Sequence, residues 1–188
     1  MQPVLIGYLP KRTVRTPAWL DAPHVAEICS ASWCISRTPD DCFVNDCLND
    51  MSLFDSETAA WDTVPACDRN QFDMYAFALF QKMFDEAGGR SLPLPNLSVE
   101  PLPVGFLSLG YDAVSNSGWS GPIGRGPNSV CFECSPLSCN SMAKTMSVNQ
   151  HCLLNSRQDA CLAARQFARG KVEPGPYVVV EVFRKVSG

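Results

Sequence analysis

Ten cysteines and two histidines carry most of the chemical interest of this 188-residue chain. The densest group is Cys131-Phe132-Glu133-Cys134-Ser135-Pro136-Leu137-Ser138-Cys139, followed a dozen residues later by His151-Cys152. Thiolates spaced as Cys131 and Cys134 can grip one metal ion from a tight turn, and a later Cys or His can close a tetrahedral zinc site. Cys131, Cys134, Cys139, His151 and Cys152 are therefore the candidate metal ligands, with zinc the ion that such a set would take. A zinc ribbon pairs two CxxC knuckles, and the second is missing here. The competing reading is that these cysteines are small buried hydrophobes beside a turn. The N-terminal set Cys29, Cys34, Cys42, Cys47, with Cys67 apart, forms no CxxC next to a βαβ pattern, so thioredoxin-like chemistry is poorly supported.

Nucleophilic catalysis needs a base and a group to orient it. His24 and His151 limit the choice, and neither GxSxG nor HExxH occurs. His151 cannot serve Cys152 if both lie on one strand, because adjacent side chains point to opposite faces. The expectation is a non-catalytic protein, with a thiol-dependent enzyme as a further alternative. A glycine-rich stretch, Gly118-Trp119-Ser120-Gly121-Pro122-Ile123-Gly124-Arg125-Gly126, lacks the terminal Lys-Ser/Thr of a phosphate-binding loop. It offers Trp119 and Arg125 on a tether, and these residue types are enriched in binding hot spots. They are the candidate contact residues for a protein partner or a small ligand.

The elements that must position these residues are readable in part. Val4–Leu9 reads as a strand closed by Pro10, with Lys11, Arg12 and Arg15 in a solvated turn after it. Val104–Ser115 reads as a strand with a bulge at Gly110. Ser156 caps a helix that carries Ala160, Ala163, Ala164 and Phe167 at helical spacing and ends at Gly170. Tyr177–Val186 is a β-branched strand.

A repeat links the two ends of the chain. Asn49-Asp50-Met51-Ser52-Leu53-Phe54-Asp55-Ser56 matches Asn149-Gln150-His151-Cys152-Leu153-Leu154-Asn155-Ser156, and Ala60 matches Ala160. The shared unit is a short apolar strand, an Asp/Asn-Ser cap and a helix. It aligns Phe72–Phe84 with the final strand, and on that ground the segment is read as a strand although its local composition also suits a helix. The expected architecture is α+β, a mixed or antiparallel sheet with helices packed on one face, built from two diverged strand-helix-strand halves. One domain over 1–188 is expected, with halves at roughly 24–87 and 104–188 joined by a Pro-rich connection at 93–103.

A net charge of −4 and a pI near 5.1 give no reason to expect nucleic acid as a partner. The N-terminus shows no basic n-region followed by an apolar run, and no window is apolar enough for a membrane span. Those features predict a cytoplasmic protein with reduced thiols. The reading as a whole is an intracellular binding or protein-interaction module, with metal binding through the 131–152 cluster as the alternative.

Overall fold

A computed structural model describes residues 2–34, 48–49, 51–91, 97–116 and 132–186. Trp119, Arg125, Cys131, Cys42 and Cys47 lie outside the described residues. The strands are β1 (Val4–Lys11), β2 (Val14–Arg15), β3 (Glu27–Ile28), β4 (Asp73–Phe84), β5 (Arg90–Ser91), β6 (Phe106–Ser115) and β7 (Tyr177–Lys185). The α-helices are α1 (Glu57–Asp62), α2 (Pro136–Cys139) and α3 (Arg157–Gly170). An antiparallel sheet runs in the order β1-β4-β7-β6, with β5 added on β4, and β2 and β3 form a separate pair. The sheet is antiparallel and a few helices accompany it, the α+β class that the sequence pattern leads one to expect, with α3 packed on one face. No helix among the described residues is long and apolar enough to cross a membrane.

Residues 73–84 are a strand, as the repeat requires, and buried along most of their length. Helical propensity is a weak preference here, overridden by pairing on both sides with β1 and β7. The central register sets Phe77 opposite Val182, Leu79 opposite Val180 and Tyr75 opposite Arg184. On the outer sides, Gly7 faces Phe77 and Gly110 faces Val182. An exchange of Phe77 with Val182 therefore also exchanges Gly7 with Gly110, which is the pattern of a local two-fold through the middle of the sheet.

The edges are closed in the same way in both halves. Tyr8 on β1 exchanges backbone hydrogen bonds with Phe54 (2.9 and 3.0 Å), and Tyr111 on β6 does so with Leu154 (2.9 and 2.8 Å). Each contact follows a bulge, between Leu5 and Gly7 on β1 and between Ser108 and Gly110 on β6. A Cβ on Gly7 would lie 2.7 Å from the Phe54 carbonyl oxygen, and one on Gly110 would lie 2.8 Å from that of Leu154. Only glycine permits this approach, and both residues hold positive φ (145° and 135°).

β1 continues through Pro10 to Lys11, with Pro10 opposite Met74. Since the Tyr8 N–H points outward to Phe54, the N–H that Pro10 lacks would also point outward, two residues along. Proline is tolerated there because no ladder bond to β4 is lost. Lys11 consequently faces the interior, with only 2% of its surface exposed, and is not part of a solvated turn. Ser56 and Ser156 cap α1 and α3, each accepting from the backbone N–H three residues on (3.2 and 3.1 Å). α3 packs Ala160, Ala163, Ala164 and Phe167 against Tyr177 and Val179, and its left-handed C-cap is Lys171, one residue past Gly170.

Candidate functional site

On the sheet's other face two irregular segments meet, one from each half. Cys29–Cys34 follows β3, and Phe132–Ser135 is anchored to the end of β6. Ser115 N–H donates to the Cys134 carbonyl (2.8 Å), and Glu133 and Cys134 N–H groups donate back to Ser115 (3.2 Å each). Trp33 N–H then donates to the Phe132 carbonyl (3.0 Å), and the Cys34 thiol donates to the Glu133 carbonyl. This bridge brings Cys34 to Cys134, and one turn of α2 brings Cys139 beside both. The Sγ atoms of Cys34, Cys134 and Cys139 all lie within 4.8 Å of one another. Cys34 is exposed, Cys139 half-buried and Cys134 buried.

The three thiols do not hold protons equally. Hydrogen bonding from Cys134, opposed by burial and helped by the Ser135 backbone, Ser138 and Cys34, brings Cys139 down to about 6. Burial and the neighbouring Cys139 push Cys34 up to about 11, and the hydrogen bond given to Cys139 raises Cys134. The group therefore carries its first negative charge on Cys139. Asn140, the next residue, donates from Nδ2 to Glu173 Oε1 (2.7 Å) and sets its Oδ1 3.6 Å from Cys134 Sγ, so a carboxylate is held close to the thiols.

A buried polar network lies beside the thiol segments and holds both. Asp112, fully buried on β6, accepts from Ser30 Oγ (2.7 Å) and Ala31 N–H (3.0 Å) in one half and from Ser135 Oγ (2.6 Å) in the other. Lys11 on β1 donates to the carbonyls of Ser30 (2.7 Å) and Ser32 (3.0 Å). Burial lowers Lys11 to about 8 despite the favourable charge of Asp112, and burial likewise raises Asp112 against the hydrogen bonds from Ser135 and Ser30. Ser32 stands two residues before Cys34, and Ser135 immediately follows Cys134. The network thus sets where the sulfurs sit.

The remaining expected ligands stand elsewhere. His151 Nδ1 meets Glu27 Oε1 at 2.6 Å, and the same oxygen accepts from Arg184 Nη1 at 2.8 Å. Cys29 completes this second group. Burial opposes ionisation of Glu27, but the hydrogen bond from His151 and the charge of Arg184 outweigh it and hold the carboxyl below its ordinary range. Burial pushes Cys29 up to about 12. An arginine already neutralises the carboxylate and the thiol keeps its proton, so this group suits an interdomain-style tie better than a metal ion. Cys152 is buried, pushed up to about 12 by burial, and occupies at φ 60° the position that Ser52 takes in the first half. His24 is exposed.

Comparison with protein-family profiles, with curated proteins and with solved structures returns no match.

Proposed function

We propose that the protein is a non-catalytic metal-binding module in which Cys34, Cys134 and Cys139 hold a zinc ion at the junction of its two halves. The observation that supports this reading is the mutual approach of three sulfurs within 4.8 Å, contributed by segments a hundred residues apart in sequence. Zinc–sulfur bonds of about 2.3 Å in a tetrahedron place sulfurs about 3.8 Å apart, so small side-chain rotations would close the set. Soft thiolates favour zinc or copper(I) over magnesium or calcium. Thiolate character already sits on Cys139, and an ion would draw the proton from the other two. A water molecule would take the fourth position, since no carboxylate or histidine joins the three sulfurs within 4.8 Å among the described residues.

A structural role fits better than catalysis. The cluster is tied to the buried network of Asp112 and Lys11, and no histidine joins the three sulfurs within 4.8 Å among the described residues. Elemental analysis of protein purified without chelator tests the proposal. About one zinc per chain is expected, and under about a tenth of an equivalent contradicts it, since structural sites bind tightly.

A further inference from the structure

We infer that the thiol cluster is also an oxidation site, at which a hydroperoxide replaces the zinc ion by a disulfide between Cys34 and Cys139. The inference rests on the metal reading above and adds a regulatory chemistry to the same site. Its basis is a difference in access among cysteines that are otherwise alike. Cys29 and Cys152 are buried, and neither joins the group of three sulfurs found among the described residues. Cys67 is exposed and Cys161 half-buried, and neither belongs to the three-sulfur group. Among the described residues, Cys34 and Cys139 are the members of that three-sulfur group with access from solvent. Cys134, the third member, is buried at 8% exposure and sits behind them.

Closing a disulfide from that starting separation requires the sulfurs to approach to about 2.05 Å, a movement on the scale of side-chain rotation. With all three sulfurs held as thiolates by zinc, that of the exposed Cys34 attacks one oxygen of hydrogen peroxide, the O–O bond breaks, and hydroxide leaves, giving a sulfenic acid at Cys34. The Cys139 thiolate then attacks the Cys34 sulfur, the S–O bond breaks, and a second hydroxide leaves. Both electrons come from the two sulfurs and end on the two peroxide oxygens, each of which leaves as hydroxide. With two protons from solvent the products are the disulfide and two waters. Zinc changes no oxidation state; left with Cys134 as its remaining thiolate, it departs as the hydrated ion. The junction of the halves would pass from a coordinate clasp to a covalent one.

The experiment uses the full chain loaded with zinc, titrated with hydrogen peroxide in the presence of a chromogenic zinc chelator and sampled for peptide mapping under non-reducing conditions. Zinc release in step with a linked Cys34–Cys139 peptide pair is expected, reversed by a thiol reductant with added zinc. Cys34→Ser should abolish the linked pair and slow release by at least about tenfold, as loss of the attacking thiol predicts. The wild-type peptide map decides the matter even if that variant folds poorly. Zinc retained while Cys67 oxidises overturns the inference and leaves the metal reading standing. A Cys134–Cys139 link instead overturns the assignment of the bond across the halves. Absence of zinc from the untreated protein overturns the metal reading and with it the release step.

Discussion

The first half (β1, α1, β4) and the second (β6, α3, β7) share a frame and differ in what they place on it. Gly7 and Gly110, Asn49 and Asn149, Ser52 and Cys152, and Ser56 and Ser156 occupy matching positions. Asn49 Nδ2 donates to the Ile6 carbonyl (2.9 Å) and its Oδ1 accepts from Met51 N–H (2.9 Å); Asn149 repeats both, to Leu109 (2.7 Å) and from His151 (2.9 Å). These are residues whose backbone geometry admits few substitutes. The polar interior is not repeated, and of the three thiols only Cys34 and Cys134 share the offset of 100. Lys11 comes from one half and Asp112 from the other; Cys34 from one, Cys134 and Cys139 from the other. Each half thus holds an incomplete set, and the sets are completed only where the halves meet. Shared residues build the frame, and mostly unshared ones build the junction.

The largest expected effect breaks the junction. Asp112→Leu strips the acceptor from Ser30 Oγ, Ala31 N–H and Ser135 Oγ, and Lys11→Met strips the donor from the Ser30 and Ser32 carbonyls. At about 1–3 kcal/mol for each buried hydrogen bond lost this way, these should be the costliest changes in urea unfolding. The double variant should lose much less than the sum of the two. Additive losses would mean the two residues act separately and would remove the network as the tie between halves.

Next come the frame residues, where the halves should respond alike. Gly7→Ala and Gly110→Ala force a Cβ against a carbonyl oxygen at positive φ, and each should cost about 1–3 kcal/mol. Tolerance at one site and collapse at the other would show that the match of the two edges is superficial. The caps offer a milder version: Ser56→Ala and Ser156→Ala should each cost about 1 kcal/mol, measured by thermal unfolding.

The frame was legible in the sequence to the extent that it repeats at a fixed offset. The Asn-to-Ser segment gave the caps, and through them the strand over residues 73–84. The matching of β1 with β6 was available in Ile6-Gly7-Tyr8 and Leu109-Gly110-Tyr111, but at an offset of 103, not 100, so an in-register comparison passes over it. Cys34 and Cys134 do share the offset of 100. Near-neighbour spacing points elsewhere, because it joins His151 and Cys152 to Cys134 and Cys139. The contact that matters is made by the Trp33–Phe132 bridge, and no local spacing encodes it. Lys11 was misread for a related reason: a charged residue after a proline suggests a turn unless the outward N–H of the edge strand is known.

A smaller effect concerns pH. Lys11 falls from an ordinary 10.5 to about 8 in the fold. Between these values the unfolded chain binds more protons than the folded one, so this residue's contribution to stability improves as pH rises through about 8 to 10.5. Below that window the cost of burying the cation is borne in full. The stability difference between wild type and Lys11→Met, followed from pH 7 to 10.5, should therefore shift in favour of wild type; a flat difference would show that Lys11 is not desolvated.

Cobalt(II) substitution tests the central claim most directly, because thiolate-to-cobalt charge-transfer absorption grows with the number of thiolates bound. Tetrahedral cobalt with the intensity of three thiolates is predicted, falling by about a third in Cys34→Ser and in Cys139→Ser alike, with both variants shown to be folded by circular dichroism. An intensity unchanged by Cys34→Ser, or no charge-transfer band at all, would contradict an ion shared between the two halves.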